Sequence, residues 1–308
     1  MKKHSHLLIS ILIFVSSATF VATSTIAKET LQPFVLASVE TADYQQTISD
    51  TKQKLADAGF NLLGEYTPFG QNTVIIVTNE EALKVAAMSK RGAYGAPMRV
   101  SVSQYDDEVE VSYANPLYFE KAYWLKGSLA AVDEQLRGTL GFIKTFGSEK
   151  GLTAKKLKKY HYMFSMPYFD DPYEYDEFDS YAQAVSEVEK RLNIEGDALS
   201  MVYKLEIPGT SMTIFGVQMQ ATDKDEDEQD LDEEYQMSIV DFERPGKKAY
   251  LSYELLVNNK KVEALHMKFR MALYFPDLPM TGKHGFTKLM SSPGEIDDAF
   301  EDILEENR

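Results

Sequence analysis

Cysteine is absent from all 308 residues. This excludes disulfide scaffolds, thiolate zinc sites, iron–sulfur clusters and thiol nucleophiles together. Histidine is scarce, at five residues, and two of these, His4 and His6, stand at the N-terminus. General-base chemistry by imidazole therefore has three further candidates, His161, His266 and His284. Positive charge is in deficit: 32 lysines and arginines face 48 aspartates and glutamates, a net charge of −16. Such a field repels phosphate backbones and anionic membrane surfaces, so no nucleic-acid partner is expected. Familiar catalytic signatures are missing as well. There is no Gly-x-Ser-x-Gly, no His-Glu-x-x-His, no Gly-x-x-x-x-Gly-Lys and no dinucleotide fingerprint. After the N-terminal region no apolar run approaches the ~20 residues that a spanning helix needs.

What is present begins with Lys2 and Lys3, an apolar run over 7–15, and then small residues. That order is the pattern of a secretory signal peptide. Residues 1–27 are expected to be removed, with the cut after Ala27 and Ala22 as the second choice. The product would be periplasmic or secreted. No cysteine follows the run, so a bacterial lipid anchor is excluded. The 281 residues left carry 30 basic and 48 acidic side chains, a net of −18. Their length suits one large domain or two of ordinary size.

The clearest local pattern is a β-hairpin. Met98, Val100 and Val102 alternate with Arg99, Ser101 and Ser103, and Asp106-Asp107 turns the chain. Val109, Val111 and Tyr113 then alternate with Glu108, Glu110 and Ser112. This predicts one buried face. Ile48, Thr51, Leu55 and Ala58 share a helix face ahead of Gly59. Further on, 236–242, 249–257 and 262–275 read as strands, and 295–305 as a closing helix. Each half thus reads as a helix, several antiparallel strands and a last helix, an α+β plan. The expected units are 33–147, an interdomain segment 148–179, and 180–308 with an acidic insertion at 222–234.

The segment 51–123 resembles the bacterial family called domain of unknown function 302. The residues that carry the likeness are Leu55-Ala56-Asp57-Ala58-Gly59-Phe60, the helix over 79–88, Ala96-Pro97-Met98-Arg99-Val100-Ser101-Val102 and Tyr113-Ala114-Asn115-Pro116. The stretch 181–303 looks like a divergent second copy, so the likeness implies a tandem repeat. It also implies two similar α+β domains, each a curved antiparallel sheet with helices on one face, similar to the TATA-binding-protein fold. The family has no agreed catalytic residues, so none is carried over, and shape alone does not imply DNA binding.

Three sets of residues are candidate sites. His161, Met163 and Met166 combine imidazole and thioether donors, which suit copper(I); strand spacing would put His161 and Met163 on one face. Asp223, Asp225, Asp227 and Glu234 place carboxylates at calcium-loop spacing, although Glu228 stands where that loop needs glycine. His266, Lys268 and Arg270 would share one face of the strand over 262–275, a cationic row fit for a small anionic ligand or an acidic partner segment. The aromatic, acidic run 168–181 is expected to pack its rings between the domains. Together these features point to an exported, soluble, non-enzymatic binding or accessory module. The alternatives are a periplasmic copper-handling protein, and a hydrolase or isomerase joining carboxylates to His266 or His284.

Overall fold

The computed structural model describes residues 29–194, 196–222 and 228–305; the segment read as an export signal lies outside them. The chain is α+β, with antiparallel sheets and packed helices. Its first part runs β1 (Thr30–Leu31), β2 (Phe34–Thr41), α1 (Tyr44–Asp57), β3 (Asn61–Phe69), β4 (Asn72–Thr78), α2 (Glu80–Ala87), β5 (Met98–Tyr105), β6 (Glu108–Ala114), α3 (Pro116–Ala122), α4 (Ala130–Leu140) and β7 (Lys144–Phe146). A connecting stretch holds β8 (Leu152–Thr153) and α5 (Ala154–Leu157). The second part runs β9 (Tyr173–Glu177), α6 (Tyr181–Arg191), β10 (Leu199–Glu206), β11 (Met212–Met219), α7 (Glu233–Val240), β12 (Tyr253–Asn258), β13 (Lys261–Ala264), α8 (Met267–Tyr274) and α9 (Ser292–Glu305).

The two larger sheets share a strand order: β3-β4-β5-β6-β2, extended by β7, and β10-β11-β12-β13-β9. Local chemistry repeats with the order. Asp43 caps α1 by accepting from the Gln46 amide at 2.8 Å, and Ser180 caps α6 by accepting from Gln183 at 3.2 Å. The first residue of each helix then bonds the second strand of the hairpin that follows it, Tyr44 to the Thr73 hydroxyl of β4 at 2.7 Å and Tyr181 to the Thr213 hydroxyl of β11 at 2.6 Å. Each later hairpin turns on a left-handed residue, Asp106 with φ 54° and Asn259 with φ 59°; Asp and Asn tolerate that conformation better than other side chains with a Cβ.

One face of the first sheet packs Val35, Ile75, Val100 and Val111 against Ile48, Leu55, Val132 and Leu136 of α1 and α4. The other face is buried too, which corrects the one-sided hairpin. Arg99, Ser101, Ser103, Glu110 and Ser112 all lie at or below 4% exposure. The second part of the chain covers them. Lys248–Tyr250, a short 3₁₀ turn ahead of β12, crosses onto β5 and β6, while Gly92–Gly95, the 3₁₀ turn ahead of β5, crosses onto β11 and β12. Two ion pairs fasten this exchange: Arg91 Nε to Glu263 Oε1 at 2.5 Å, and Arg244 Nη2 to Glu110 Oε1 at 2.6 Å. Both arginines, both glutamates and both left-handed turn residues stand 153 positions apart (91 to 244, 110 to 263, 106 to 259).

The sheets also meet at their edges. β3 bulges between Leu62 and Gly64, and β10 between Met201 and Tyr203. The approach is so close that a Cβ on Gly64 would sit 2.3 Å from the Val202 carbonyl oxygen. Gly64→Ala is therefore expected to cost about 1–3 kcal/mol, because backbone must move. The check is urea unfolding with Gly138→Ala as control. Gly138 lies in α4 with nothing within 4 Å of an added Cβ, and its substitution should gain roughly 0.5–1 kcal/mol.

Three expected elements are corrected. The stretch 236–242 falls mostly in α7, a helix. The strand expected over 262–275 ends at Ala264, and Met267–Tyr274 is the helix α8. Within the expected interdomain segment, Tyr173–Glu177 is a strand of the second sheet, paired with β13.

Candidate functional site

The proposed cationic row does not form. His266 ends the strand region and caps α8, its Nδ1 accepting from the Lys268 amide at 3.2 Å. Its ring stacks on Tyr173 at 4.2 Å. Burial, reinforced by the nearby Lys268 ammonium, pushes its pKa down to about 4, so the ring is neutral near pH 7. Lys268 is half-buried. Arg270, two residues along a helix and not a strand, turns away from it and is 1% exposed.

Arg270 instead belongs to a charge cluster sealed between the two sheets. Its guanidinium donates to the carbonyls of Tyr250 and Ser252. It stacks over Tyr250 at 4.0 Å and Tyr253 at 4.6 Å. Glu254 of β12 lies between two cations: it accepts from Arg99 Nη1 and stands 3.9 Å from Arg270 Nε. Arg99 also donates to the Tyr274 hydroxyl and, at 3.2 Å, to the Ala249 carbonyl. Beside the cluster Glu233, at the start of α7, accepts from the Tyr66 hydroxyl at 3.1 Å. Burial raises the Glu233 pKa to about 8 against the lowering effect of that hydrogen bond. No motif in the sequence marks these residues. The one available signal is a charged Arg99 and Glu110 inside otherwise small polar alternation.

A cleft of about 530 Å³ opens where the two parts of the chain meet. Gln32 ahead of β2, β7 with the loop to Glu149, the end of α7 with the loop 242–247, and residues 275–279 after α8 line it. Gly147 makes the first turn possible, with φ +98°. Phe146 and Phe275 lie buried at the cleft wall, both packed on Phe34. Phe242 is 47% exposed at the rim and stacks on His284 at 4.0 Å. His284 Nδ1 is held by the Ile239 carbonyl at 3.1 Å. Three of the six lining charges have partners, while the Glu149 and Glu243 carboxylates are exposed and, like Lys144, unpaired among the described residues. Arg244 binds Glu108 and Glu110, Lys247 binds Asp241 at 3.5 Å, and Asp277 accepts from the Ser148 hydroxyl at 3.4 Å and from the Glu149 amide. Lys144 is exposed and has no carboxylate partner among the described residues.

The remaining candidates scatter. His161, Met163 and Met166 lie in an irregular loop, so strand alternation does not apply. His161 stacks on Tyr168 at 4.3 Å, and its Nδ1 meets the Met163 carbonyl at 2.7 Å. Met163 is exposed and Met166 packs on the core. Among the described residues no group of three or more His, Asp or Glu side chains is placed to hold a metal ion. Asp223, Asp225 and Asp227 lie outside the described residues, and Glu234 is an exposed residue in the first turn of α7. In the run 168–181, Phe169 does pack between the two parts, against Tyr94, Tyr123 and Phe269. Among the described residues no helix is long and apolar enough to cross a membrane. No family model, curated protein or solved structure matches this chain.

Proposed function

We propose that the chain is a non-catalytic binding module of two related α+β repeats, exported from the cytoplasm, with its ligand seated in the cleft between the repeats. The observation that carries this reading is the composition of the cleft. It joins an exposed aromatic rim at Phe242 to Lys144, a cation that no described carboxylate pairs, and it lies where two structural units meet, a common place for ligand sites. The acid–base groups near it support binding over catalysis: Asp277 and Arg244 are engaged in fixed contacts, and His284 is clamped between Phe242 and a backbone carbonyl. A small molecule with an aromatic body and an anionic group to meet Lys144 suits such a site, with the Glu149 and Glu243 carboxylates free to accept hydrogen bonds from its polar groups.

The test uses anilinonaphthalene sulfonate, an aromatic anion whose fluorescence rises on binding. A saturable single site is expected on the native protein. Lys144→Glu with Phe242→Ser should weaken it at least about tenfold, since the pair removes the charge contact and the stacking surface. Binding that survives the double substitution, or that vanishes with Phe164→Ser, which does not line the cleft, places the site elsewhere and overturns the reading.

A further inference from the structure

Residues 150–169 contain five lysines and no aspartate or glutamate, in a chain with 48 acidic residues. The structure turns this stretch into a strip with two sides. Leu157 is fully buried, and Tyr160 and Tyr162 bond inward to the carbonyls of Ala272 and Leu278 at 2.7 and 3.3 Å. The side chains between them face out. Lys155, Lys156, Lys158 and Lys159 are all exposed, and none has a carboxylate partner among the described residues. Immediately beyond, the chain turns tightly, with the Met166 amide on the Met163 carbonyl at 3.0 Å and Ser165 at φ 69°. At the tip of that turn Phe164 is 94% exposed and Met163 42%. Lys268 adds a further cation beside Met166.

A large aromatic ring held out in water at a loop tip, flanked by lysines that no described carboxylate neutralises, has the chemistry of a membrane-surface anchor. We infer that this loop docks on anionic lipid, with Phe164 and Met163 entering the headgroup region and Lys155, Lys156, Lys158 and Lys159 over the lipid phosphates. The negative charge of the whole molecule does not oppose this at contact. Charges beyond a Debye length of ~8 Å are screened at physiological ionic strength, and the acids that bound the stretch, Glu149, Asp170 and Asp171, are outnumbered by its five lysines. An acidic protein segment would satisfy the lysines but gives the outward Phe164 nothing to enter, so lipid is the favoured occupant.

The test places a reporter at the tip. Phe164→Trp in the full chain is mixed with vesicles of phosphatidylglycerol or of phosphatidylcholine, and read against the unsubstituted chain, whose one tryptophan is Trp124. A blue shift and quenching by brominated lipid are expected on the anionic vesicles alone. Changing Lys155, Lys156, Lys158 and Lys159 to Gln should lower partitioning at least about tenfold. Because both chains carry the same N-terminal apolar run, attachment through that run leaves the signal of the introduced tryptophan unquenched. Absent quenching, equal quenching on neutral vesicles, or tight binding to polyglutamate that excludes vesicles would each overturn the inference.

Discussion

Glu254→Ala is expected to destabilise the protein by about 3–5 kcal/mol. The carboxylate is 1% exposed and stands between Arg99 and Arg270, themselves 2% and 1% exposed. Removing it leaves two guanidinium groups in a site that water does not reach, with only carbonyls and tyrosine hydroxyls as acceptors. An unpaired buried charge is far costlier than the lost contact itself, because its desolvation is no longer offset. Urea unfolding should show a large fall in midpoint. Adding Arg99→Met to Glu254→Leu should recover part of the loss by removing one of the two stranded charges. If Glu254→Ala costs less than about 1 kcal/mol, as an exposed pair would, the cluster is not sealed between the sheets.

The second large effect depends on pH. Burial raises the Glu233 carboxyl from its ordinary value of 4.5 to about 8 in the folded protein. Between those values the folded chain binds a proton at this site that the unfolded chain has released. Stability from this group is therefore full below about pH 4.5 and is lost as pH rises through about 8. The loss is on the order of 5 kcal/mol at most, at about 1.4 kcal/mol per pH unit. Glu233→Gln keeps the shape and can still accept from Tyr66, but it does not titrate. The variant should gain on the parent steadily from pH 5 to pH 8 in urea unfolding. A difference between the two that stays flat across that range would show that Glu233 is ionised in the fold throughout.

The α+β class was legible because its signals were local. Alternation in Met98–Tyr105 and Glu108–Ala114, a turn at Asp106, and the apolar stripe of α1 each predict one element without help from the rest. The misread elements failed for a physical reason. Met267, Phe269, Met271 and Leu273 alternate as a strand would, yet they lie in a helix buried on nearly every side. Burial all round removes the polar face that gives a helix its 3.6-residue period. Polar residues misled in the opposite direction. Arg99, Ser101 and Glu110 read as a solvent face, and their cover comes from residues about 150 positions later. The cleft was illegible for the same reason: Lys144, Phe242 and Phe275 meet only after both parts have packed.

The exchange of 3₁₀ turns between the two sheets has a consequence for how the chain can come apart. Each sheet's polar face is finished by a segment belonging to the other, so neither has a complete interior alone. Heat or denaturant should accordingly produce a single cooperative transition rather than two. A cut in the connecting stretch should leave two fragments that stay associated. Order of synthesis matters as well. Arg99 and Glu110 emerge early, but Glu254 and Arg244 emerge more than 130 residues behind them. Until then the first sheet holds a charged face open to water, and its completion must wait for the segment 244–254.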